Sequence, residues 1–115
     1  MLVLGGLNSV RTSFNASFGY LACGTGSTVP AESNTALVAE SLRLTKSSSD
    51  SSVDKKVDME FIMTSAQGNG VSFLEVGLFT ASSGGTMGSR DIIAQIDKNN
   101  TFEIDFVVTA TFENG

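Results

Sequence analysis

The chain has no histidine and no tryptophan, one cysteine, one proline and one tyrosine in 115 residues. Each shortage closes off chemistry. Without histidine, the commonest general base and the commonest metal ligand are both missing. One cysteine without histidine excludes ordinary zinc sites and any Cys–His nucleophile pair. Cys23 can form no disulfide within the chain, so the fold owes nothing to an oxidising compartment. Serine is abundant, but no Gly-x-Ser-x-Gly elbow occurs. Neither a catalytic residue set nor a cofactor is expected, and the chain reads as a non-enzyme with no small-molecule substrate.

Charge is also scarce, at 17 % of residues with a net charge of −5, against about 25 % in an average soluble domain. The surface must therefore be built largely from Ser, Thr, Asn and Gly. That suits a surface covered by partners; the alternative is a monomer coated with hydroxyls. The basic residues Arg11, Arg43, Lys46, Lys55, Lys56, Arg90 and Lys98 are scattered, with no stripe that tracks phosphates, so no nucleic-acid partner is expected. No basic amphipathic helix and no run approaching 18 apolar residues appear, so no membrane contact is expected. The apolar start Met1–Gly6 lacks the charged opening of a signal peptide.

What is present reads as one all-β domain over 1–115, an antiparallel β-sandwich of jelly-roll or Ig-like type with short or no helix. Residues 1–17 fit a short helix or a strand and turn, with Gly5 and Gly6 opposing a long helix. They are expected to serve as an N-terminal arm for contacts between subunits. A short strand is expected at 18–23, a Gly/Pro loop at 24–30, and a helical turn or an extended crossing at 31–46. The serine-rich 47–52 reads as a hairpin tip. Strict alternation predicts a half-buried strand over 53–65, with Val53, Val57, Met59, Phe61 and Met63 inward. Residues 71–80 are nearly continuously apolar, so both faces are expected to be covered. A strand at 86–96 follows. The last strand places Phe102, Ile104, Phe106, Val108, Ala110 and Phe112 on one face; it is expected to bury three phenylalanines and to be central to the fold.

Four features invite a functional reading. Gly24-Thr-Gly-Ser-Thr looks superficially like a phosphate loop, but it lacks the lysine and the following helix. Asp54, Asp58 and Glu60 could bind calcium or form an acid–base pair, yet with Lys55 and Lys56 beside them they read as a solvated strand face. Glu75 sits inside Phe73-Leu-Glu-Val-Gly-Leu-Phe79; a carboxylate buried there needs a partner. A shifted-pKa acid and a structural ion pair are the two readings. With no second catalytic group in view, the ion pair is preferred, with Arg90 as first partner and Arg43 as second. Interface candidates are Leu2, Leu4, Gly24, Thr25, Gly26, Pro30 and Leu37.

Three stretches carry a resemblance. Tyr20-Leu-Ala-Cys-Gly-Thr-Gly-Ser-Thr-Val-Pro-Ala-Glu-Ser-Asn-Thr-Ala-Leu37, followed by Glu40 and Arg43, resembles the opening of small tail-associated proteins of tailed bacteriophages. Phe73–Phe79 is similar to that family's "TEVGLF", and Ser82-Ser-Gly-Gly-Thr-Met-Gly-Ser-Arg90 to its "SGGTLLAR". A related pattern opens phage tail-fibre collar proteins. The likeness spans about 18–112, with Met87-Gly-Ser in place of the usual apolar residues and an unusually serine-rich 47–52. It implies a β-sandwich structural module of the virion, made in the host cytoplasm and placed at tail fibre, collar, neck or baseplate. Its expected partners are other virion proteins and further copies of itself in a homo-oligomer, a trimer or ring. The competing readings are a capsid decoration protein and a receptor- or glycan-binding module. With no tryptophan to stack on sugars, the glycan reading is the weaker.

Overall fold

The computed structural model describes residues 1–114. One helix, α1 (Leu4–Ser17), precedes six strands: β1 (Tyr20–Gly24), β2 (Glu40–Asp50), β3 (Lys56–Met63), β4 (Ser72–Phe79), β5 (Met87–Asp97) and β6 (Ile104–Thr111). The architecture is antiparallel β throughout, in the order β5-β4-β1-β2-β3-β6. The six strands form one curled sheet in place of the expected pair of sheets. The curl centres on β2. Glu40–Thr45 pair with β1, Lys46–Asp50 pair with β3, and the register slips between Lys46 and Ser48. A bulge of this kind bends a strand and increases its twist, which lets one strand serve both halves.

The concave face holds the main core: Leu21, Cys23, Leu44, Val57, Met59, Phe61, Met63, Phe73, Val76 and Leu78. Strand β3 shows the alternation its sequence predicts, with Val57, Met59, Phe61 and Met63 each fully buried. A smaller cluster of Ala22, Leu37 and Phe79 covers the opposite face of β1 and β4. Both faces of β4 are thus occupied, which explains its unbroken apolar run.

Several expectations change. Residues 4–17 are helical despite Gly5 and Gly6, because docking outweighs the roughly 1 kcal/mol that each glycine costs a helix. Leu7 is buried, and Phe14 packs on Phe18 and Phe112. Along the same helix Asn8, Arg11 and Asn15, at helical spacing, stitch α1 to the β2–β3 hairpin. Asn8 accepts the Lys55 amide (2.8 Å), Arg11 donates to the Ser51 and Val53 carbonyls, and Asn15 donates to Ser49. Lys55, at φ +62°, is the one non-glycine residue in the left-handed region among those described, and Asn8 helps to hold it there. Residues 31–39 contain no helix, and the chain runs irregularly to Glu40.

Serines 47–49 lie within β2, and the turn falls at 51–55. Val53 is therefore in a turn and 56 % exposed, instead of continuing the inward row. The last strand is not central. It forms one edge of the sheet, and an edge strand is covered from one side only. Phe106 and Phe112 are accordingly half-buried, while Phe102 lies before the strand and is exposed.

Phe61 stands at the middle of the concave core with none of its surface exposed. Phe61→Ala is expected to cost about 3–5 kcal/mol, a large share of a small domain's stability. Urea unfolding followed by circular dichroism, which needs no tryptophan, measures the loss.

Candidate functional site

The site is a buried carboxylate beneath an irregular loop. Residues 25–39 leave β1 and return to β2 with few backbone bonds of their own; Thr25 N donates to Ala39 O at 3.0 Å. Three of their amides, those of Gly26, Val38 and Ala39, converge on Glu75 of β4. Glu75 Oε2 accepts from Gly26 N (2.7 Å) and Ala39 N (2.9 Å), and Oε1 accepts from Val38 N (3.0 Å). Arg90 of β5 adds an ion pair from Nε to Oε1 at 3.0 Å, both side chains being almost wholly excluded from solvent.

The loop's glycines are dictated by this close approach. A side chain on Gly26 would put its Cβ 2.5 Å from Glu75 Oε2, and one on Gly24 would run into the Ala39 carbonyl. Of the interface candidates, Gly24, Gly26 and Leu37 are buried inside the chain, as internal packing would place them. Thr25, Pro30, Leu2 and Leu4 are exposed.

Arg90 continues outward, with Nη1 donating to Asn34 Oδ1 at 3.3 Å, and Asn34 Oδ1 also accepts the Ala31 amide. An open cavity of about 360 Å³ lies alongside, between Pro30–Asn34 and Met87–Arg90. Arg43, the second partner considered for Glu75, goes elsewhere. It pairs bidentately with Glu40 (2.7 and 2.9 Å), donates to the carbonyls of Ala81 and Gly84, and stacks 3.9 Å over the Phe79 ring. That geometry ties the β4–β5 turn to β2. Planar stacking combined with a bidentate fork is a task for arginine that lysine cannot perform.

Burial would raise the Glu75 pKa, but the amides of Ala39, Val38 and Gly26, together with Arg90, outweigh it and hold the carboxyl below its usual range. It is ionised and fully engaged, with neither a proton to give nor a free lone pair facing solvent. Its chemistry is that of a clamp. Cys23 of β1, in the main core, is pushed up to about 12, first by burial and then by the charge of Glu40. The thiol is thus protonated and inert near neutrality.

Asp54, Asp58 and Glu60 do not converge. Asp54 accepts from Asn8, Asp58 accepts from Thr109 and lies 3.7 Å from Lys56, and Glu60 faces Ser47 and Ser48. Among the described residues no group of three or more His, Cys, Asp or Glu side chains is placed to hold a metal ion. Among the described residues, no helix is long and apolar enough to cross a membrane. No family model and no curated protein matches this chain.

In the folded state the Glu75 pKa lies below its ordinary value of about 4.3. Its stabilisation is therefore fully present above that value and is lost as pH falls through the lowered one. Glu75→Ala, which strands the Arg90 charge, is expected to destabilise by about 3–5 kcal/mol, and Glu75→Gln to flatten the acid limb of the stability–pH profile; denaturant titrations from pH 7 to 3 read both. Separately, Cys23 is expected to resist alkylation in the native protein at pH 8 and to label completely in urea, as mass spectrometry would report.

Proposed function

We propose that this chain is a non-enzymatic structural protein of a tailed-bacteriophage virion. It serves as an assembly module of the tail, at fibre, collar or baseplate, and acts through contacts with copies of itself and with neighbouring virion proteins. The observation that supports this most is where the phage-like stretches meet in space. Gly24 and Gly26 come from the first stretch, with Val38, Ala39, Glu40 and Arg43 following it. Glu75 comes from the second, and Gly84 and Arg90 from the third. All of them close on two adjacent arginine–glutamate clamps. Residues far apart in the chain thus hold the shape of one loop and one turn. Such a set is what a scaffold needs if it is to present rigid surfaces. The side chains of Thr25 and of residues 27–33 stand exposed above the clamp, where a neighbouring subunit can reach them.

The experiment is quantitative mass spectrometry of purified virions together with immunogold labelling. Low copy number and label confined to the tail are expected. Hundreds of copies spread over the head would overturn the tail assignment in favour of capsid decoration. Absence from the particle would overturn the structural reading itself.

A further inference from the structure

The two edges of the curled sheet are built differently. At β5 the pairing with β4 slips twice, between Phe73 and Glu75 and between Leu78 and Phe79, and β5 points a charged side chain, Arg90, into the fold. Bulges and inward charges are how natural sheets discourage a second strand from adding to an edge. At β6 none of these devices is present. Ile104–Thr111 contains no proline, glycine, lysine or arginine and pairs with β3 in unbroken register from Lys56–Thr111 to Met63–Ile104.

The direction of the free backbone groups follows from one bond. Phe112 N donates to Lys55 O at 2.8 Å, so the residue at 112 turns its amide toward the β3 side. Antiparallel ladders alternate. Ile104, Phe106, Val108 and Ala110 therefore also turn their amides and carbonyls toward β3. Those of Asp105, Val107, Thr109 and Thr111 point away from the sheet, and among the described residues β6 has no other neighbouring strand. The same four side chains are exposed, Val107 to 60 %, while the alternate row Ile104, Phe106, Val108 and Ala110 is half-buried. The result is an eight-residue edge without a register shift and with an unfinished apolar row.

We propose that β6 pairs antiparallel with β6 of a second copy of this chain, about a two-fold axis through Val107. The proposal deepens the assembly reading above and rests on it for its biological setting. The charges suit this register. With Val107 opposite Val107 of the second copy, Asp105 faces Thr109 and Glu103 faces Thr111, so no carboxylate meets another. The half-buried row continues across the axis, with Phe106 beside Val108 and Ile104 beside Ala110. A slip of four residues that set Asp105 against Asp105 would be repulsive, since like charges directly opposite destabilise a strand pair. Main-chain bonds supply the affinity, as in other edge-strand additions, and the two-fold axis closes the assembly after one partner. Asp58, Glu60, Glu103 and Asp105 share the outer face with Lys56, so the dimer tightens as salt screens the acidic groups.

The test uses the full chain. Light scattering should give a mass twice the 12.0 kDa of the chain. Because position 107 meets itself, Val107→Lys and Val107→Glu should each weaken the dimer by about tenfold or more, equivalent to ~1.4 kcal/mol, with melting of the monomer unchanged. An equimolar mixture of the two should restore a dimer, now mixed. A wild-type chain that stays monomeric at high concentration, or single variants as dimeric as wild type, would sink the proposal. Monomeric single variants that fail to recover on mixing would overturn the Val107-centred register. These outcomes are independent of virion location: absence from particles leaves the solution dimer intact, and a monomer leaves presence in particles intact.

Discussion

The fold depends on one buried carboxylate. A loop of some fifteen residues with little regular structure has backbone amides that must find acceptors, and here no neighbouring strand is available to supply them. Glu75 stands in for that strand: two oxygens receive three loop amides and a guanidinium. Without the arginine, a buried negative charge would be prohibitive. Without the amides, an isolated buried pair contributes little net stability, because desolvation offsets the attraction. It is the combination that makes the site favourable. The same combination explains why glycine is required at 24 and 26, where the backbone must come into contact with the carboxylate and the Ala39 carbonyl.

The second constraint is the shared strand. β2 belongs to β1 at its start and to β3 at its end, and the slip near Ser47 makes the transfer. The serine-rich stretch is suited to this. Ser47 donates its hydroxyl to the Glu60 carbonyl, and small polar side chains tolerate both the bend and the exposure of the hairpin's outer face. Helix α1 then lies against the hairpin's turn, which keeps the curled end from opening. Phe14 meets Phe112 there, so the first and last elements of the chain close the same corner. Asn114 extends this closure by exchanging hydrogen bonds with the backbone of Leu2.

Strand type and inward face were legible where the alternation was strict, as in β3, because the side-chain period of a strand is fixed by the pleat. The ion pair of Glu75 with Arg90 was legible because a carboxylate inside Phe73–Phe79 has few affordable neighbours. The amide donors at Gly26, Val38 and Ala39 were not, since nothing in a one-dimensional pattern says which loop will lie over a buried acid. Gly24 and Gly26 looked like exposed turn residues for the same reason. Helix α1 was obscured by Gly5 and Gly6, and its signal lay in polar residues: Asn8, Arg11 and Asn15 are spaced for one helix face. The place of β6 in the sheet was hidden because apolar alternation reports that one face is covered, and not whether a strand has one neighbour or two.

That last ambiguity carries physical content. A strand with the composition of a central strand, found at an edge, has outward backbone groups and an apolar row that no second strand among the described residues continues. The opposite edge is the internal control. β5 is irregular in register, carries Arg90 inward and has acidic residues at 91 and 97, and so satisfies its position. One sheet with one guarded and one unguarded edge has a direction for growth, and a low surface charge leaves little repulsion to oppose it. Pairing of identical edges, antiparallel about a two-fold axis, consumes the open edge and leaves only guarded ones outward. This is how a chain with an aggregation-competent strand can form a closed assembly in place of a fibre.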